Sequence, residues 1–217
     1  AKKLVKGIEP EYLEIADAIL TEAQKVFGES IDRGILFPLA DHISFAVARI
    51  RRNEQISNPL TEDIKVLFYS EFKVAETLKT ILKERLQIEI DDHEVGYVAL
   101  HIHSAIGDEK VSVAMQTARA VRECIDMIEK ATGKTIDVLS LSYNRLMNHM
   151  KYMVACASTG EKLNLDMNEY MLDQYPQAYE IAADICKNLE GGIGHKLDET
   201  EIGYLAMHIQ RVYKDAV

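Results

Sequence analysis

The sequence predicts an all-α protein, two homologous helical bundles of about five helices each, in tandem. Three observations lead there. Apolar residues recur at spacings of three and four, and only 4 prolines interrupt 217 residues, the pattern of amphipathic helices rather than strands. A shift of 107 residues lays the second half of the chain on the first. That same shift superimposes two pairs of histidines, His42 on His149 and His101 on His208, with 59 residues inside each pair. The neighbouring residues travel with them: Glu94-Val-Gly-Tyr-Val-Ala-Leu-His101-Ile repeats as Glu201-Ile-Gly-Tyr-Leu-Ala-Met-His208-Ile. A duplicated core accounts for repeated apolar positions, but it gives no reason to repeat two ionisable ones.

The elements follow in order. Ile8-Glu-Pro10 opens a first helix whose stripe is Leu13, Ala16, Ile19, Leu20, Ala23 and Phe27, with Gly28 as its stop. A loop runs through Asp32 and Gly34 to Pro38, and a second helix begins near Leu39. His42, Phe45 and Arg49 lie on one stripe of that helix and Ile43, Ala46, Val47 and Ile50 on another, with Ser57-Asn-Pro59 as its end. Thr61 is placed to cap a third helix through Ile64, Leu67 and Phe68, followed by one long helix from Phe72 to Leu86. Asp91 or Asp92 caps the helix carrying Glu94, Tyr97 and His101, which stops at Gly107-Asp108.

The second unit repeats this order. Val113 to Ala131 matches the first helix, and Gly133 matches Gly28. Tyr175-Pro-Gln-Ala-Tyr179-Glu-Ile181 lies on Phe68 to Val74, Gly191-Gly-Ile-Gly194 breaks the chain, and Asp198 or Thr200 starts the last helix. The domain limits are placed at 8–112 and 113–217, with little linker between them.

Composition narrows the function. With 47% hydrophobic and 28% charged residues, each unit has the means to bury a core. The net charge of −10, from 35 acidic and 25 basic residues without a basic block, disfavours nucleic-acid and anionic membrane surfaces. No apolar run reaches 18 residues and no signal-peptide core opens the chain, so no membrane insertion is expected. Cys124, Cys156 and Cys186 have no metal-type spacing and read as small buried side chains in a reducing, cytoplasmic setting.

On a helix, positions i, i+3 and i+7 share a face, so Glu94, Tyr97 and His101 form one polar stripe, as do Glu201, Tyr204 and His208. Two crossing helices would then bring His42 to His101 and His149 to His208. Paired histidines admit four readings. A metal site needs three or four donors, and no third repeats in both units. The pair His101 and His103 points apart on a helix, and the match to His103 is Gln210. Acid–base or covalent catalysis on a small substrate lacks a phosphate loop, a nucleophile elbow or a triad. The rings are otherwise phosphoacceptors, nucleophilic when neutral, or satisfied structural histidines. Asp41 and Asn148, preceding the first histidine of each pair, are placed to orient a ring or to cap a helix. Arg49 and Arg145 are placed either to meet a phosphoryl group or to lie solvated on the surface.

Together these motifs resemble the tandem PTS regulation domains (PRDs) of bacterial transcriptional antiterminators of the bgl/sac type. Asp41-His42-Ile-Ser-Phe-Ala-Val and the segment Glu94 to Ile102 are similar to the two histidine motifs of a first PRD. Ser142-Tyr-Asn-Arg145-Leu-Met-Asn-His149-Met-Lys-Tyr and the segment Glu201 to Ile209 are similar to those of a second. The resemblance implies helical bundles and a regulator rather than an enzyme, with no cofactor. It further implies phosphorylation of His42 and His101 by a sugar-specific enzyme II, and of His149 and His208 by HPr. Phosphorylation would shift a homodimer whose N-terminal domain binds an RNA antiterminator hairpin. That domain is expected to precede this chain, Ala1-Lys-Lys-Leu-Val-Lys-Gly being similar to the tail of a linker. A PRD-bearing DNA-binding activator is the related alternative. A small helical metal-binding or catalytic protein is the alternative of a different class.

Overall fold

The computed structural model describes residues 8–28, 31–107, 110–137, 140–160 and 165–215. The linker-like residues 1–7 and Asp108 lie outside them. The chain divides into two compact units, Ala1–Met115 and Gln116–Val217, and every regular element among the described residues is helical.

The first unit contains α1 (Pro10–Phe27), a 3-10 turn at Arg33–Ile35, α2 (Leu36–Arg51), α3 (Thr61–Leu67), α4 (Tyr69–Ala75), α5 (Thr77–Leu86) and α6 (Asp92–Gly107). The helix α6 is the centre of the bundle: α1, α2, α3 and α4 all pack on it. Val95, Val98, Ala99, Leu100 and Ile102 are fully buried, so α6 is apolar around most of its girth, as a helix enclosed by others must be. The second unit contains α7 (Val111–Thr132), α8 (Leu141–Thr159), α9 (Asn168–Gln174), α10 (Pro176–Ile193) and α11 (Thr200–Asp215). Here α11 takes the central place, with α8, α9 and α10 packed against it.

Several expectations are corrected. In α1 the buried face includes Tyr12 and Ile15, while Leu13 and Phe27 lie at its edge. Helix α2 starts at Leu36, ahead of Leu39, because Pro38 falls within its first turn, where a missing N–H costs no hydrogen bond. It stops at Arg51, well before Pro59, and the chain turns through Asn53 at φ 58°. Thr61 is the first residue of α3 and not its cap: its hydroxyl donates to the Asn58 carbonyl, and Asn58 Oδ1 accepts from Leu60 N. The single long helix expected from Phe72 to Leu86 is divided at Glu76, where the Thr77 hydroxyl donates back to the Val74 carbonyl. Its counterpart α10 is continuous, runs through Gly191 and Gly192, and ends at Gly194 with φ 73°.

The repeat also extends to details of the backbone. Phe68 (φ −119°, ψ 47°) and its match Tyr175 (φ −141°, ψ 58°) mark the same kink. Gly28 and Gly133 end the matched first helices at φ 76° and 66°, left-handed values that glycine adopts without steric cost. Asp91 caps α6, its Oδ1 accepting from His93 N and Glu94 N. Asp198 does the same for α11 through Thr200 N.

The glycine of the repeated Glu-x-Gly-Tyr motif has a packing role in only one unit. A Cβ on Gly203 would meet the Met167 carbonyl carbon at 2.8 Å and Asn168 N at 2.9 Å, whereas one on Gly96 would meet nothing nearer than 3.8 Å. Gly203→Ala is therefore expected to cost about 1–3 kcal/mol, while Gly96→Ala is neutral or slightly stabilising through helix propensity. Amide hydrogen exchange along α11 and α6 compares the two. Equal protection changes would contradict the close approach at Gly203.

Candidate functional site

Each unit brings its two histidines together across one helix crossing. In the first, α2 lies over α6 and the rings of His42 and His101 stand 5.3 Å apart between centroids, tilted by 47°. Tyr97, one turn before His101, places its ring 5.7 Å from His42. In the second, α8 lies over α11, and His149 stacks on His208 at 4.8 Å and 25°, with Tyr204 at 6.1 Å.

A carboxylate lies beneath each pair. Glu94 is 3% exposed and Glu201 2%, so this end of each polar stripe is turned inward, while Tyr97, His101, Tyr204 and His208 are half-buried. Arg49 Nη2 donates to Glu94 Oε1 at 2.7 Å, and His42 Nε2 approaches Glu94 Oε2 at 3.4 Å without hydrogen-bond alignment. Burial opposes ionisation of Glu94, but His42 and the Arg49 guanidinium outweigh it and hold the carboxyl below its usual range. In the second unit His149 Nε2 lies 3.5 Å from Glu201 Oε2, and the position matching Arg49 is Cys156. With no arginine there, burial, and then Asp198, pushes the Glu201 carboxyl up to about 7.

The imidazoles shift the other way. Burial, then the charge of His42, lowers His101 to about 4. Burial, then His208, lowers His149 to about 4. Burial, then Arg211 and Arg145, lowers His208 to about 4. At neutral pH these three rings are uncharged, with a lone pair on one nitrogen. The Nε2 of His42 and of His149 and the Nδ1 of His208 are buried without a hydrogen-bond partner.

The remaining sequence candidates fall as follows. Asp41 and Asn148 sit inside α2 and α8, past the first turn, so neither caps its helix; Ser140 caps α8 by accepting from Tyr143 N. Arg145 is exposed on α8 yet near enough to influence His208. Arg211, not singled out from the sequence, adds a second cation there; its signal was the i+3 spacing from His208. His103 faces away from His101, its Nδ1 2.9 Å from the buried Glu71 carboxylate and its ring 4.3 Å from Phe68. His93 Nδ1 lies 2.8 Å from the Thr61 hydroxyl and ties α6 to the start of α3. All three cysteines are buried, and burial pushes the thiols of Cys124 and Cys186 up to about 12. Among the described residues, no group of three or more His, Cys, Asp or Glu is arranged to hold a metal ion, and no helix is long and apolar enough to cross a membrane.

Two helical bundles, each presenting a facing histidine pair above a buried carboxyl group, define a duplicated helical domain. The PRD domain family matches residues 17–105 and again 122–212, and the chain belongs to it, with two copies in tandem. It is 27% identical over 219 residues to the transcription antiterminator LicT of Bacillus subtilis (strain 168), covering 99% of this chain and 79% of that protein. It is 28% identical over 193 residues to the GlcA/glcB genes antiterminator of Staphylococcus carnosus (strain TM300), covering 88% of this chain and 66% of that one. With the beta-glucoside operon antiterminator of Dickeya chrysanthemi it shares 26% over 216 residues, 96% of this chain and 75% of that one. A solved structure titled "Crystal structure of GlcT CAT-PRDI" aligns with 49% of this chain and 63% of its own, at 26% identity and a TM-score of 0.46.

Proposed function

We propose that this chain is the regulatory region of a transcriptional antiterminator and that His42, His101, His149 and His208 are its phosphoacceptors. The observation that carries this reading is the pair of facing imidazoles in each bundle, with His101, His149 and His208 uncharged at neutral pH. An uncharged imidazole is the nucleophilic form. Its free nitrogen attacks phosphorus in line, the new P–N bond forming as the bond to the donor breaks, a transfer governed by positioning more than by covalent help. The product carries nearly two negative charges where a neutral ring stood. Placed 4.8 or 5.3 Å from a second ring and above a buried carboxylate, that charge repels its surroundings and shifts the arrangement of the bundle.

The functional units are taken as 8–112 and 113–217. The first receives phosphate from a sugar-specific enzyme II of the phosphotransferase system and the second from HPr. The two inputs set homodimerisation in the cytoplasm and thereby the engagement of an RNA hairpin by an N-terminal domain outside this chain. Arg145 and Arg211, near His208, supply positive charge to a phosphorylated ring in the second unit; the matched positions in the first are Pro38 and Ser104.

Incubation with enzyme I, HPr and radiolabelled phosphoenolpyruvate tests the reading. Acid-labile label is expected, lost when His149 and His208 are both replaced by alanine and retained when His42 and His101 are. Absence of label on the intact chain would reject it.

A further inference from the structure

The duplication makes the first bundle an internal control for the second. Where α2 carries Arg49, α8 carries Cys156. Arg49 reaches across to Glu94, its Nη2 donating to Oε1 at 2.7 Å. The cysteine side chain is far shorter, and among the described residues the space is not refilled. A cavity of about 220 Å³ lies there, lined by Met153, Cys156, Ala157, Lys196, Asp198 and Glu201. Its mouth is at the exposed Gly160 and Lys196.

Glu201 supplies the reason to expect an occupant. It is 2% exposed and lines the cavity; its Oε2, like Glu94 Oε2 in the first bundle, is buried beside a histidine without a hydrogen-bond partner, so the oxygen matching the one Arg49 reaches is Oε1. His149 Nε2, 3.5 Å from Glu201 Oε2, belongs to a ring that burial keeps uncharged. Asp198 Oδ1 is committed to Thr200 at the start of α11. A buried carboxyl group lining an open, mostly apolar cavity calls for a donor, and the first bundle shows which kind fits the corresponding place.

We propose that this cavity binds a small organic cation, a guanidinium or primary ammonium group, whose N–H donors pair with Glu201 as the Arg49 guanidinium pairs with Glu94. The volume admits such a head group; a small quaternary ion would also fit but has no N–H to donate to the carboxylate. Pairing favours the ionised carboxylate, so binding releases a proton from Glu201 near neutral pH. It also places a charged pair against the Nε2 side of His149, which gives the ligand a route to the histidine pair. The inference rests on Glu201 and the cavity alone and stands whether or not His149 is phosphorylated.

The test uses the whole chain, titrated separately with guanidinium, methylguanidinium and ethylammonium chlorides up to about 50 mM. Tetramethylammonium chloride is the control for charge and ionic strength. The readout is the NMR shift of the Glu201 side-chain carboxyl and of the α8 and α11 amides. Saturable shifts with millimolar affinity are expected for the three donors and not for the control. Glu201→Gln is expected to abolish them, and so is Cys156→Arg, which builds the guanidinium into the chain. Three results would each overturn the proposal: no saturable shift, the same shift in Glu201→Gln, or a shift only in Lys196→Ala. The last would mean that the chain's own lysine fills the cavity.

Discussion

Replacing Arg49 by methionine is expected to destabilise the first bundle by about 3 kcal/mol at neutral pH. The guanidinium donates to Glu94 at 2.7 Å, and the Glu94 side chain is 4% exposed. Removing one partner leaves a buried carboxylate without its compensating charge, which costs more than the intact pair contributes. The contribution of Glu94 to the pH dependence should shrink as well. In the native protein the Glu94 carboxyl is held low, so its contribution is present above the ordinary carboxylate range and is lost as pH falls through the depressed value. Without the arginine only His42 opposes burial, so the part of the stability that Glu94 loses on acidification should be smaller in the variant. Arg49→Met with Glu94→Gln removes the charge together with its partner and is expected to recover most of the loss. Hydrogen exchange in α2 and α6 reads the first bundle apart from the second. A single variant within 1 kcal/mol of the parent would show that the pair is immaterial.

Acidification should weaken both bundles through their imidazoles. His101 and His149 titrate near 4 in the folded chain, against about 6.5 when unfolded. Their contribution is complete above the unfolded value and is lost as pH falls toward 4, on the order of 3 kcal/mol for each ring taken alone. His149 and His208 form a stacked pair and protonate as a unit, so their losses do not simply add. Glu201 acts in the opposite sense. Its folded value of about 7 means that its contribution is greatest below the ordinary carboxylate range and is lost as pH rises to 7. The second bundle therefore has an opposing term that the first lacks. Imidazole Cε1 resonances give the midpoints directly, and urea midpoints between pH 8 and 4 give the stability. Midpoints above 6 for His101 and His149 would contradict their burial.

Much of this site was legible in the sequence, for a physical reason: a duplication repeats what both copies need. The 107-residue shift isolated the four histidines, and helical spacing put Glu94 and Tyr97 on the side of His101. Spacing did not reveal that this side is also enclosed, because burial of Glu94 depends on α2 crossing α6, which no local pattern encodes. The partnership of Arg49 with Glu94 is hidden for the same reason, since 45 residues separate the two. The substitution of Cys156 at the matching position was visible in the alignment of the halves. Its meaning required knowing what Arg49 touches. The interruption at Thr77 escaped because a threonine hydroxyl bonding to a carbonyl three residues back competes with the helix without breaking its apolar rhythm. Asp41 and Asn148 looked like caps only while the starts of α2 and α8 were placed too late or left open.

The start of α11 has a further consequence. Gly203 N donates to Asn168 Oδ1 at 2.8 Å, and Asn168 Nδ2 donates to the Glu199 carbonyl at 3.0 Å. One amide at the beginning of α9 thus clasps both sides of the first turn of α11, so that turn cannot fray while α9 stays folded, and α9 cannot lift without releasing it. The two act as a single cooperative unit that includes Glu201. Any event that loosens α9 therefore also frees the turn of α11 that carries Glu201, although α9 touches neither histidine ring through this clasp.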